Sequence, residues 1–248
     1  MKPSPGTMRH TPPQTPAELA PFIDHTLLKP DATEAMIETL CHEALAHGFY
    51  AVCVNGAHVS TARRALGDGI SKRGSKVQIA AVVGFPLGAM STTAKAFEAV
   101  EATRDGATEI DMVMRIDLAK TGKYSALRED IAAVVKAVEG RAIVKVILET
   151  SLLTTDEIAK SSRAADEAGA HFVKTCTGFS TSGPAGAATV EHVALMRESV
   201  RPEVQVKASG GVRTFETAQA MIAAGATRLG TSSGVALVTT GATSGGGY

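Results

Sequence analysis

The stretch EALAHGFYAVCV (43–54) joins a helix-like pattern to an apolar, strand-like run through a single glycine. The same order recurs three more times, in EATRDGATEIDMVM (101–114), ADEAGAHFVKT (165–175) and MIAAGATRLGT (221–231). A glycine at the end of a helix adopts the left-handed conformation that stops the helix and turns the chain back. The recurrence predicts helices and strands that alternate along the chain.

Further apolar runs bring the number of predicted strands to eight. The other four runs are FIDHTLL (22–28), VQIAAVVGF (77–85), AIVKVILET (142–150) and VQVKAS (204–209). Helical patterns lie between the runs, for example TEAMIETLCHEALAH (33–47) and TAKAFEAVEATRD (93–105). Strands that alternate with helices indicate right-handed crossovers and a parallel sheet, and near-continuous apolar strands indicate a sheet covered on both faces.

Eight such units favour an α/β fold of the (β/α)8 barrel type, built as a single domain. The length of 248 residues is normal for one barrel. A doubly wound sheet is the alternative, but the first strand lacks the following GxGxxG that such sheets use for dinucleotides. We therefore predict a barrel over residues 17–238. A flexible, proline-rich arm (1–16) precedes it and a flexible tail (239–248) follows it.

Composition excludes several classes of function. Lysine plus arginine and aspartate plus glutamate balance at 25 each, so no basic surface for nucleic acid is expected. No stretch approaches the length of a membrane span. The three cysteines form no CxxC, which is typical of a reducing compartment, and the seven histidines show no metal-binding spacing. We expect a cytoplasmic protein with no metal and no cofactor.

Two predicted strands carry a lysine just before a glycine-containing loop. Lys174 lies in HFVKTCTG (171–178) and Lys207 in VQVKASGGVR (204–213). Lysine is rarely buried unless it is paired, and a neutral amine can form a Schiff base with a carbonyl substrate. A structural lysine in a salt bridge is the alternative for either residue alone. Two of them on neighbouring strands favour amine catalysis.

A barrel of this type carries its active site at the C-terminal ends of the strands. Asp111 on the fourth predicted strand and Lys145 on the fifth then reach the same mouth as Lys174 and Lys207. Only about 1 in 2,000 ordinary lysine amines is neutral at pH 7, and burial or a neighbouring cation lowers the pKa. One lysine can therefore react while the second tunes it. Asp111 would hold the second lysine and relay protons, or act as a countercharge only.

Two glycine-containing loops predict an anion site. SGGVRT (209–214) and LGTSSG (229–234) each follow a strand and precede a helix. Backbone N–H groups at such turns bind phosphate, and the loops after strands seven and eight are a frequent phosphate site of this barrel. The residues alone therefore predict amine catalysis on a phosphorylated carbonyl compound.

Eight motifs, in order along residues 22–234, resemble those of the deoxyribose-phosphate aldolase family. They are DHTLL (24–28), AVCVN (51–55), GFPLG (84–88), EIDMV (109–113), VKVILET (144–150), FVKTCTGF (172–179), KASGGVRT (207–214) and GTSSG (230–234). The resemblance implies a class I aldolase of deoxyribonucleoside catabolism. Its reaction would be the reversible cleavage of 2-deoxy-D-ribose 5-phosphate into acetaldehyde and D-glyceraldehyde 3-phosphate.

The resemblance also implies residue roles. Lys174 matches the Schiff-base lysine, Lys207 the second lysine and Asp111 the proton relay. Substrate and phosphate positions fall on Asp24, Thr26, Gly210, Gly211, Arg213, Ser232 and Ser233. Phe179 stands where some members have a lysine, so the phosphate would depend more on backbone N–H groups and Arg213. Cys176 stands where a serine is usual.

Three expectations concern the rest of the chain. The tail TTGATSGGGY (239–248) ends in Tyr248, which could fold over the mouth and assist proton transfer, or have no role. Cys53 ends the second predicted strand and is expected to be a small buried hydrophobe facing either the mouth or the helices. We expect a homo-oligomer, with a dimer favoured. Another Schiff-base aldolase, a sugar-phosphate isomerase and a non-catalytic binder remain alternatives.

Overall fold

The computed structural model describes residues 12–69, 74–180 and 187–242. Within them, eight parallel strands close into a barrel in which each strand pairs with the next along the chain and the last pairs with the first. The strands are β1 (Ile23–Leu27), β2 (Ala51–Asn55), β3 (Gln78–Val83), β4 (Glu109–Val113), β5 (Ile143–Ile147), β6 (Phe172–Lys174), β7 (Gln205–Ser209) and β8 (Ala226–Thr231). The predicted (β/α)8 barrel is confirmed.

Helices follow the strands and cover the outside of the barrel. They are α1 (Glu34–His47), α2 (Val59–Leu66), α3 (Thr92–Asp105), α4 (Ile116–Lys120), α5 (Tyr124–Ala137), α6 (Thr155–Glu167), α7 (Val190–Ser199), α8 (Phe215–Ala223) and α9 (Gly234–Thr239). Short 3-10 helices occupy Pro16–Phe22, Gly56–His58 and Thr150–Leu152. None of these described helices is long and apolar enough to cross a bilayer.

The glycines that decide the sequence pattern end their helices as predicted. Gly48 is the C-cap of α1 with φ 73°, and its backbone N–H donates to the carbonyl of Ala44. Positive φ also occurs at Gly106, Gly169 and Gly225, which end the other three repeats. At the opposite ends, Thr33, Ser91 and Thr154 accept backbone N–H groups of α1, α3 and α6. Each cap satisfies a group that the helix itself leaves unpaired.

The domain bounds at residues 17 and 238 stay predictions. The first described helix begins at Pro16, and α9 ends at Thr239. Beyond α9, Ala242 pairs with Thr214 in an isolated antiparallel bridge. Most of the predicted arm and tail lies outside the described residues.

A buried ion pair joins two helices on the outside of β4. Lys95 of α3 places its Nζ 2.5 Å from Oδ2 of Asp130 on α5, and the Thr92 hydroxyl donates to Oδ1 of Asp130 at 2.7 Å. Both charged side chains are almost completely buried. Burial lowers the pKa of Lys95, although Asp130 opposes that shift. Because each ion has left water, each depends on the other for compensation.

We therefore expect Asp130→Asn to lower the free energy of unfolding by about 3 kcal/mol, since it leaves a buried ammonium uncompensated. Urea unfolding measures the change. Glu167→Gln is the matched control, because Glu167 pairs with Arg128 at 3.6 Å on the exposed surface. It should stay within about 0.5 kcal/mol of the unchanged protein. Equal stability of both variants would contradict this interpretation of the buried pair.

Candidate active site

Seven charged side chains occupy the inside of the barrel, where branched apolar side chains are usual. They form what we call the charge cluster: Asp24, Glu109, Asp111, Lys145, Lys174, Lys207 and Arg228. Each is at most 3% exposed. They come from six strands: β1, β4, β5, β6, β7 and β8. A buried charge is costly unless it is paired, so their mutual contacts decide what the cluster can do.

Asp111 is the centre of the charge cluster. Its Oδ1 accepts from Nζ of Lys145 at 2.7 Å. Its Oδ2 accepts from Nζ of Lys174 at 2.9 Å and from Nζ of Lys207 at 2.7 Å. Strand register brings them together, because Asp111 lies opposite Lys145 and Lys174 lies opposite Lys207. The four charged residues expected at one mouth are therefore in contact.

The three lysines differ in how many carboxylates compensate them. Lys145 also contacts Glu109 at 2.5 Å and Asp24 at 3.6 Å, and Lys207 also contacts Asp24 at 2.5 Å. Among the carboxylates of the described residues, Lys174 contacts Asp111 alone. Lys174 is therefore the least compensated of the three amines.

Opposite charges inside the charge cluster shift the pKa values of several side chains toward their ionised forms. Burial raises the pKa of Asp111, but the three ammonium groups around it outweigh burial and hold the pKa well below its usual range. The pKa of Asp24 is likewise lowered despite burial, chiefly by Arg228 and Lys207. Burial lowers the pKa of Lys207 and of Lys145, yet the neighbouring carboxylates raise both overall. These two lysines stay protonated at neutral pH.

The charge cluster contains four basic and three acidic groups, which leaves one positive charge in excess when all are ionised. Desolvated excess charge is unfavourable in a protein interior. Loss of one lysine proton balances the cluster. Three carboxylates contact Lys145 and two contact Lys207, whereas among the described residues only Asp111 contacts Lys174.

An apolar wall lines the mouth beside the cluster. It consists of Leu28, Cys53, Ala80 and Val82, with Phe85 and Phe179 packed against them. The rings of Phe85 and Phe179 meet edge to face, 5.2 Å apart. Cys53 faces the barrel interior rather than the helices, and burial raises the pKa of its thiol. The position of Phe179 thus contributes apolar surface instead of a cation.

Thr26 lies two residues after Asp24 on β1, opposite Cys53. Its hydroxyl donates to the backbone carbonyl of Asp24 at 2.8 Å. Both residues therefore face the interior, with Asp24 inside the charge cluster and Thr26 nearer the mouth.

The two predicted phosphate loops lie side by side at the mouth. Ser209 pairs with Gly230 between β7 and β8, and the Thr231 hydroxyl donates to the carbonyl of Val212 at 3.2 Å. In the first loop, Gly210 and Gly211 have φ of 91° and 75°. The other loop positions named from the sequence are Arg213 and Ser232, both exposed, and Ser233, half-buried before α9. The two loops are therefore adjacent at the C-terminal ends of β7 and β8.

Glu149 is a site residue that sequence reasoning missed. It is buried just beyond β5 with φ 57°, an uncommon conformation for a residue other than glycine. Its Oε2 accepts from the backbone N–H of Thr177 at 3.2 Å and from the Thr177 hydroxyl. Glu149 thereby fixes the loop that follows Lys174. The only sequence signal is an acid at the end of the apolar run VKVILET (144–150).

Glu109 and Arg228 were also missed, although both are charged residues inside strand runs. Tyr248 lies outside the described residues. Across the described ranges, no group of three or more His, Cys, Asp or Glu side chains is arranged to hold a metal ion.

Comparison with known proteins places this barrel in a family. A family model for DeoC/LacD family aldolases matches residues 19–245. Deoxyribose-phosphate aldolase from Alkaliphilus oremlandii is 54% identical over 220 residues, which are 89% of this chain and 95% of that protein. The enzyme of the same name from Brevibacillus brevis is 52% identical, covering 92% of this chain and 98% of the relative.

Solved structures agree with the sequence matches. A candidate deoxyribose-phosphate aldolase from Coccidioides immitis has a TM-score of 0.85 and 42% identity, over 97% of this chain and 91% of that one. The tetrameric deoxyribose phosphate aldolase from Aeropyrum pernix has a TM-score of 0.79 and 33% identity, over 91% and 92% of the two chains. By sequence and by fold, the chain belongs to the DeoC/LacD family of aldolases.

Proposed function

We propose that this protein is a class I aldolase that reversibly cleaves 2-deoxy-D-ribose 5-phosphate into acetaldehyde and D-glyceraldehyde 3-phosphate. The observation that carries the proposal is the buried amine of Lys174. Among the carboxylates of the described ranges it contacts Asp111 alone, and two further ammonium groups share that carboxylate. A buried lysine amine among neighbouring cations is the arrangement that Schiff-base chemistry uses. Relatives named deoxyribose-phosphate aldolase at 50–54% identity support the choice of substrate.

In the cleavage direction, the neutral amine of Lys174 adds to the aldehyde carbon of the open-chain sugar and gives a carbinolamine. Loss of water then gives a protonated imine. Removal of the C3 hydroxyl proton breaks the C2–C3 bond, which releases D-glyceraldehyde 3-phosphate and leaves an enamine on Lys174. Protonation of the enamine carbon and hydrolysis release acetaldehyde and restore the amine. Asp111, through an ordered water, is our candidate for these proton transfers.

Lys207 has a supporting part in this scheme. Its Nζ lies between Asp24 at 2.5 Å and Asp111 at 2.7 Å, and its pKa is raised, so it remains a cation. A permanent cation on the carboxylate that Lys174 uses weakens the hold of that carboxylate on the Lys174 proton. We therefore keep Lys207 as the electrostatic tuner of the reacting amine.

We propose that the substrate phosphate binds between the loops after β7 and β8. Gly210, Gly211, Ser232 and Ser233 would offer backbone N–H groups there, with Arg213 as an exposed cation nearby. Thr26, near the mouth end of β1, is proposed to border the sugar, and Asp24, two residues deeper in the barrel, is proposed to lie beneath it against Lys207. The apolar wall on the other side of the mouth then faces the acetaldehyde part of the substrate.

Further proposals concern the protein as a whole. The amine chemistry uses groups of the chain itself, so we propose that no metal or cofactor takes part. Three free cysteines fit a cytoplasmic location. We also propose a homo-oligomer. The sequence favoured a dimer, whereas the Aeropyrum pernix relative is described as tetrameric.

Incubation with acetaldehyde followed by borohydride should attach one ethyl group to Lys174, because reduction fixes the imine. Peptide mass mapping locates the label. Lys174→Met should abolish labelling, whereas Lys207→Met should slow it and leave it at position 174. Labelling of Lys207 instead would make Lys207 the Schiff-base lysine and Lys174 the electrostatic tuner. An unlabelled protein would favour an isomerase or a binder on the same barrel over any Schiff-base aldolase.

Asp111→Asn should reduce turnover by about 100-fold or more, the usual size of a general acid–base contribution. The reason is that an amide cannot accept and return the protons of the imine steps. Steady-state kinetics with 2-deoxy-D-ribose 5-phosphate should show the loss in kcat. A loss confined to KM would leave Asp111 only a countercharge.

The proposed proton transfer by Tyr248 can be tested by kinetics alone. Tyr248→Phe should leave borohydride labelling of Lys174 intact but slow the exchange of solvent hydrogen into acetaldehyde by about 10-fold or more, because the phenol proton is lost. Proton NMR in deuterated water measures the exchange. Exchange at the rate of the unchanged protein would show that Tyr248 has no catalytic part.

A further inference from the structure

The charge cluster continues beyond the reacting lysine to the opposite, N-terminal end of the barrel. Arg228 on β8 places Nη2 2.5 Å from Oδ1 of Asp24 and 2.8 Å from Oε2 of Glu109. Glu109 is the first residue of β4, so these contacts lie near the floor of the barrel and not at its mouth. The substrate proposed above does not reach this end.

Aromatic rings enclose the Arg228 guanidinium. Its central carbon lies 3.4 Å from the ring centroid of Tyr50 and 5.9 Å from that of Phe172. Tyr50, just before β2, is 43% exposed, whereas Arg228 is 3% exposed. The Tyr50 ring therefore separates the Arg228 guanidinium from water. Because the surroundings of the guanidinium have a low dielectric constant, its charge acts over a longer distance than it would in water.

Shared carboxylates connect Arg228 to Lys174. Asp24 contacts both Arg228 and Lys207, and Asp111 contacts both Lys207 and Lys174. Arg228 and Lys174 are therefore connected through Asp24, Lys207 and Asp111, all of them buried. A change of charge at Arg228 alters the electrostatic potential at the Lys174 amine.

The groups facing this path come from nearly every strand. They are Asp24 of β1, Cys53 of β2, Glu109 and Asp111 of β4, Lys145 of β5, Lys174 of β6, Lys207 of β7 and Arg228 of β8. Ala80 and Val82 of β3 pack beside Cys53 and carry no charge. Because burial raises the pKa of Cys53, its thiol is neutral at pH 7. Without Arg228, three protonated lysines and three carboxylates would balance.

We propose that Arg228, held by Glu109 and covered by Tyr50, is a positioning residue that sets the protonation of Lys174 from the far end of the barrel. Its charge gives the cluster the one positive charge in excess, and release of the Lys174 proton removes that excess. Arginine suits the position because it does not give up its own proton. The inference rests on the proposed Schiff-base role of Lys174.

The test measures imine formation against pH with the full-length protein. Each sample reacts with acetaldehyde for a set time at one pH, borohydride stops the reaction, and mass spectrometry quantifies ethylated Lys174. Arg228→Met should move the midpoint of the pH profile up by about one unit, because a balanced cluster retains the Lys174 proton. Glu109→Gln should move it down by a similar amount, because the excess charge grows.

The double variant separates charge from structure. Arg228→Met with Glu109→Gln removes one charge of each sign and restores the excess, so its midpoint should return to that of the unchanged protein. Tyr50→Ala, which admits water to the guanidinium, should raise the midpoint by less than Arg228→Met. Tyr50→Phe keeps the ring and is its matched control, with no shift expected.

The outcomes are distinguishable. If the unchanged protein takes no label, the proposed function itself fails. If it is labelled and neither Glu109→Gln nor Arg228→Met moves the midpoint, the inference about Arg228 is overturned. A double variant that fails to reverse the shift overturns it as well. Thermal unfolding checks each variant, and should Arg228→Met not fold, Glu109→Gln and the Tyr50 pair decide the question.

Discussion

One carboxylate, that of Asp111, accepts hydrogen bonds from three ammonium groups inside the barrel. The strands β4 to β7 carry all four residues and bring them into contact. Taking such ions out of water costs several kcal/mol each, and apolar side chains of similar volume would usually stabilise an interior as well or better. The charge cluster is therefore a poor way to stabilise a barrel. What it does provide is a buried lysine amine, that of Lys174, beside one carboxylate that two other ammonium groups share.

The sequence predicts the fold well because its deciding signals are local. A glycine such as Gly48 ends a helix wherever the rest of the chain lies, and apolar runs mark strands in the same way. Lys174 and Lys207 could be identified because each interrupts an apolar strand at its loop end. Glu109 and Arg228 could not, since a charge near the start of a strand usually faces solvent. Only barrel closure, with β8 beside β1, brings them together.

The faces of single residues were harder to predict. AVCVN (51–55) is apolar at four successive positions, so alternation cannot tell which side Cys53 faces. In the structure it joins the apolar wall, with Phe85 and Phe179 above it. The mouth is thus divided, with apolar side chains beside β2 and β3 and glycine and serine loops after β7 and β8. That division fits a substrate with a phosphate at one end and a small aldehyde at the other.

The excess positive charge bears on more than the first step of the proposed reaction. The neutral amine of Lys174 carries no charge, whereas a protonated imine on the same nitrogen is positive. The imine therefore returns a positive charge to the position beside Asp111. Cleavage of the carbon–carbon bond then converts the imine into a neutral enamine, which balances the cluster again. Buried charge in excess therefore favours both steps in which this nitrogen loses positive charge, the activation of the amine and the bond cleavage. The same excess of one positive charge can assist amine activation and bond cleavage, because both steps remove positive charge from the Lys174 nitrogen.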